Sequence, residues 1–70
     1  MDTLKLLRLK HKLSYKQMAI KLNISKTFYW QIENEKRRLS YDMAIKIAAI
    51  FNLKPDQLFY DYFKSLEKKF

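Results

Sequence analysis

Apolar residues recur along this chain at helical spacing, and no stretch alternates as a half-buried strand does. Leu4, Leu7 and Leu13 open the pattern, with Asp2 or Thr3 placed to cap a first helix running to about residue 12. Ser14-Tyr15-Lys16-Gln17 then reads as a capping box, in which Gln17 reaches back to the Ser14 N–H. Behind it, Met18, Ala19 and Leu22 share one face of a short second helix. This helix stops near Asn23, a residue that tolerates left-handed backbone. Ser25 caps a third helix, Lys26 to Asn34, after a turn of about three residues. Ser40 caps a fourth, with Asp42 favourable in its first turn and Ala44, Ile45, Ile47, Ala48 and Phe51 on its buried side. Pro55 suits the first position of a last helix, Asp56 its first turn, and the helix runs to about residue 69. The pattern predicts an all-α protein of five helices in a single domain, residues 1–70, without linker or repeat.

The third helix carries an unusual outer face. Advancing about 100° per residue puts Tyr29, Ile32 and Glu33 on the inner arc. Lys26, Thr27, Trp30, Gln31 and Asn34 share the opposite face, with Phe28 between the two. Lys and Gln hydrogen-bond base edges, and Thr and aromatic carbons pack on a thymine methyl. An ordinary solvated face accounts for Lys, Thr and Gln but not for an exposed Trp, which generally has something to touch.

Charge changes the picture next. The chain carries 15 Lys plus Arg against 7 Asp plus Glu, a net +8 in 70 residues. Positions 41–70 hold five bases against four acids, so the excess lies in the first forty residues and points to an acidic partner. Composition then removes alternatives. Without Cys there is no disulfide and no thiolate metal site, and His11 alone builds none. His11 reads as a solvated residue at a helix C-terminus. No apolar run reaches the roughly 18 residues of a membrane span, and Met1 to Lys5 show no signal-peptide core. A cytoplasmic protein is expected. No nucleophile–base pair or carboxylate pair stands out, and capping explains Ser14, Ser25 and Ser40. The chain is therefore not expected to be an enzyme, nor to use a cofactor, metal or small-molecule ligand.

Taken as an ordered set, the residues resemble the lambda-repressor-like, Cro-type helix-turn-helix family, also called the xenobiotic-response-element family. The likeness rests on Leu13-Ser14, Met18-Ala19, Leu22-Asn23-Ile24-Ser25, Ile32-Glu33-Asn34, Lys36-Arg37 and Ser40. It continues through Ala44, Ile47-Ala48, Asn52-Leu53 and Leu58-Phe59. The resemblance implies a motif over about residues 15–34 whose second helix enters the DNA major groove. By position, the base-reading residues are then Lys26, Thr27, Phe28, Trp30 and Gln31. The phosphate contacts are Ser14, Tyr15 and Lys16 at the start of the motif's first helix, and Lys36, Arg37 and Arg38 in the loop after its second. Arg8 and Glu33 match a pair that ties the first helix to the recognition helix.

The chain departs from that family at several points. Tyr15 stands where Gln is frequent, Leu39 where Pro is common, and Lys12, Asn23 and Glu35 where Gly is frequent. Glu35 is poorly suited to left-handed backbone, so that conformation is expected to shift to Asn34 and move the basic loop.

The last helix outruns the family's usual end. Leu58, Phe59, Tyr62, Phe63, Leu66 and Phe70 fit an arc of about 140°. Leu6 and Leu9 are also apolar where the family usually carries charge. Homodimerisation through Tyr62, Phe63, Leu66 and Phe70 is expected, which would set two recognition helices about 34 Å apart on a palindrome. The competing arrangement folds residues 60–70 back onto the first helix. The leading function is sequence-specific double-stranded DNA binding as a transcriptional regulator, acting as a repressor. A protein-interaction module, such as an antitoxin or regulator adaptor using the aromatic helix, is the alternative. Anionic-membrane binding by Lys64, Lys68 and Lys69 is disfavoured, because residues 60–70 net only +1.

Overall fold

A computed structural model describes residues 1–67. Five helices follow one another: α1 (Asp2–Lys10), α2 (Tyr15–Leu22), α3 (Lys26–Glu33), α4 (Tyr41–Ile50) and α5 (Pro55–Glu67). No strand occurs among the described residues, as the helical periodicity predicts. α2 packs chiefly against α3, and α4 against α5. Buried Leu4, Met18, Tyr29, Ile32, Ile47 and Phe59 bring all five helices into one core.

Side-chain caps start three of the helices where expected. Ser14 Oγ accepts from Gln17 N at 3.1 Å, while Ser14 N donates to Gln17 Oε1 at 2.8 Å, completing the capping box. Ser25 Oγ accepts from Phe28 N, and Ser40 Oγ from Met43 N. α1 differs from expectation. Met1 is its N-cap, with no side-chain hydrogen bond, and Asp2 lies inside the first turn rather than capping it. The carboxylate there still complements the helix dipole.

The helix ends share one device. Lys12, Asn23, Glu35 and Asn52 all take positive φ, between 56° and 58°. After each, the next residue's N–H reaches back five positions: Leu13 to Arg8, Ile24 to Ala19, Lys36 to Gln31, and Leu53 to Ala48. This is the Schellman ending, ordinarily built on glycine, made four times here in a chain that has none. It stops α1 at Lys10, two residues short of the expected end. It also overturns the expected shift to Asn34. That residue has φ −95°, and Glu35 itself is left-handed. Three of the four endings are followed by an apolar residue, Leu13, Ile24 or Leu53, packed against the core. The ending of α3 is followed by Lys36 instead, and so opens the basic loop.

Two further departures have simple causes. Ile45, expected on the buried side of α4, is 44% exposed. The buried set Ala44, Ile47, Ala48 and Phe51 keeps i, i+3, i+4, i+7 spacing, and Ile45 falls outside it. Leu39 is fully buried, and its N–H donates to the Tyr62 hydroxyl at 3.0 Å. A proline at that position has no N–H to give.

Candidate nucleic-acid interface

α3 has a fixed inner side. The Glu33 carboxylate, only 3% exposed, takes three hydrogen bonds. Arg8 Nε reaches Oε1 at 2.7 Å and Arg8 Nη2 reaches Oε2 at 3.1 Å. The Tyr29 hydroxyl donates to Oε1 at 2.9 Å. Arg8 Nη1 also donates to the Leu13 carbonyl at 2.8 Å, and the guanidinium lies 4.3 Å from the centre of the Tyr15 ring. One buried cation thus ties α1, the start of α2 and α3 together, as the resemblance implied for Arg8 and Glu33.

The electrostatics follow from that geometry. The hydrogen bond to Glu33 raises the Arg8 pKa, against the opposing effect of burial. Burial first, and the Glu33 charge second, push the Tyr29 phenol far above its ordinary range. Among the described residues, no buried side-chain nitrogen or oxygen is left without a partner.

The outer side is open. Lys26, Thr27 and Trp30 line a shallow hollow of about 340 Å³, and Trp30 is 40% exposed. Phe28 and Gln31 are half-buried. Arg37 covers them: its Cζ stands 4.4 Å from the centre of the Phe28 ring, and its Nε donates to Gln31 Oε1 at 3.1 Å. Asn34 turns back along its own helix, donating from Nδ2 to the Trp30 carbonyl.

The residues expected to meet phosphate fall into two groups. Ser14, Tyr15 and Lys16 form the start of α2. The Ser14 oxygen is engaged in capping, which leaves its hydroxyl hydrogen to donate elsewhere. Lys16 is exposed, and Tyr15 is half-buried beneath Arg8. Lys36, Arg37 and Arg38 are exposed along the loop leaving α3. Sequence reasoning missed that Arg37 turns back onto α3. The two residues are six apart across a left-handed turn, which carries no periodic signal. It also missed the Tyr29–Glu33 bond, although i,i+4 spacing on the inner arc was there to read.

On α5, Tyr62 and Phe63 are half-buried within the monomer. Phe63 packs against Phe59 and Tyr41, and Tyr62 holds Leu39. Leu66 is half-buried, and Phe70 lies outside the described residues. Tyr41 and Tyr60 remain exposed. No described helix is long and apolar enough to cross a membrane.

Two helices joined by a three-residue turn, the second held from within and open outside, define a helix-turn-helix unit of the DNA-binding regulatory class. The chain belongs to the helix-turn-helix family, in its lambda-repressor-like, xenobiotic-response-element form, whose model matches residues 4–58. No curated protein and no solved structure matches it.

Proposed function

We propose that this chain represses transcription by occupying a palindromic operator as a homodimer, with residues 1–70 acting as one domain. The contrast between the two sides of α3 carries the reading. Three hydrogen bonds onto Glu33 hold the inner side, while Lys26, Thr27 and Trp30 stand open on the outer. A rigid helix with a polar and aromatic free face is what major-groove reading requires. Lys26, Thr27, Phe28, Trp30 and Gln31 read bases. Ser14, Tyr15 and Lys16 meet phosphate at the start of α2, whose first backbone N–H groups have no intrahelical partner. Lys36, Arg37 and Arg38 meet phosphate beyond the recognition helix. Dimer contact uses the area of Tyr62, Phe63 and Leu66 that remains uncovered in the monomer, together with Phe70.

Enrichment of bound sequences from a random duplex pool tests this, followed by sedimentation of the selected complex. The expected product is a palindrome with half-sites about 34 Å apart, carrying two copies of the chain. Retention of no preferred sequence would overturn the DNA-reading assignment. A single half-site carrying one copy would overturn the dimer.

A further inference from the structure

We propose that Arg37 sets the base preference of Gln31, turning it from adenine to guanine; this rests on the reading of α3 as the recognition helix. Two contacts carry the proposal. Arg37 Nε donates to Gln31 Oε1 at 3.1 Å, and Arg37 Cζ stands 4.4 Å from the centre of the Phe28 ring. Phe28 and Gln31 are three residues apart on α3, so they are neighbours on one side of it. The guanidinium is held by an aromatic face and an amide at once. Because it has donors only, the amide orientation is fixed. The Gln31 oxygen faces Arg37, and its NH2 group turns away.

That orientation changes what Gln31 reads. An unrestrained Gln pairs bidentately with adenine, donating to N7 and accepting from the N6 amino group. Acceptance needs the amide oxygen. In this protein the oxygen is already engaged, and the positive charge beside it opposes the approach of an amino hydrogen. The NH2 group is left to donate. Guanine offers two acceptors there, O6 and N7, and no donor on its major-groove edge. The neighbouring charge favours the same edge. Gln31 held in this way selects guanine, and Arg37 is a positioning residue for specificity.

Base preferences of the wild type, Gln31→Ala and Arg37→Ala, each enriched from a random duplex pool, test the assignment. Gln31→Ala should lose preference at one base pair and so identify it. The wild type should take guanine there by about tenfold over adenine. Arg37→Ala should bind all sequences more weakly through its lost phosphate contact, keep the base preferences at the other positions, and move that position toward adenine. An unchanged preference in Arg37→Ala, a wild-type preference for adenine, or no lost position in Gln31→Ala would overturn the proposal. A wild type that enriches no sequence would instead remove the recognition-helix reading, before any variant is compared. Side-chain relaxation of the Gln31 amide in the free protein gives an answer without DNA. It should be ordered in the wild type and mobile in Arg37→Ala, and equal mobility in both would overturn the proposal.

Discussion

Glu33 is the residue that holds the inner side of α3 to the rest of the fold. Its carboxylate is buried, and Arg8 and Tyr29 supply its hydrogen bonds. Removing one partner of such a pair leaves a buried charge unmatched. Arg8→Ala should therefore cost about 3–5 kcal/mol in urea denaturation. Tyr29→Phe is milder, because Arg8 still holds Glu33, and should cost about 1 kcal/mol at neutral pH. Tyr29 also gives the fold an alkaline limit. Its folded phenol keeps a proton that the unfolded chain releases near pH 10. A raised folded pKa means full stability below about pH 10 and a loss as pH rises above it. Denaturation midpoints from about pH 8 to about pH 11 should fall less steeply in Tyr29→Phe than in the wild type. The Arg8–Glu33 pair was legible through the family resemblance. The Tyr29 contribution was not read, because an aromatic residue on an inner arc looks like plain core until its hydroxyl is followed to a partner.

At the scale of elements, the capped beginnings of α2, α3 and α4 were legible, and so was the left-handed end of α2 at Asn23, but the turns at Lys12, Glu35 and Asn52 were not. Ser14, Ser25 and Ser40 announce helix starts because a cap is local chemistry between a hydroxyl and an N–H three residues on. Endings follow from the hydrogen-bond ladder as a whole. The Glu35 N–H meets the Ile32 carbonyl and the Lys36 N–H meets Gln31. Those bonds fix the left-handed position whatever residue stands there. Residue preference pointed to Asn34, and the ladder overrides it. Lys12 then sits in a conformation that costs a β-carbon residue roughly 1–2 kcal/mol. Lys12→Gly should raise stability by about 0.5 kcal/mol, after the added freedom of the unfolded chain is subtracted. Asn23→Gly should change little, since Asn already tolerates this backbone. Thermal unfolding of the two variants side by side checks the contrast.

The whole molecule joins a basic front to a packing half. Positions 41–70 hold five bases against four acids, so the charge excess sits in α1 to α3 and the loop after them. α5 is joined to that loop by Tyr62, whose hydroxyl accepts from Leu39 N. Two departures from the family pattern thus meet in one contact: Leu in place of Pro, and a last helix that runs past the usual end. Tyr62→Phe should cost about 1 kcal/mol, read by urea denaturation. This link was not legible, because Leu39 and Tyr62 lie 23 residues apart and neither marks the other.

We propose the outer face of α3 and the loop after it as the DNA-reading surface. Backbone amide NMR of the labelled protein, titrated with a duplex enriched from the random pool, tests it most directly. The largest shift changes are expected at Lys26 to Gln31 and Lys36 to Arg38, with a second group at Ser14 to Lys16. Changes confined to Tyr41, Ile45 and Tyr60 on α4 and α5, with α3 silent, would contradict it.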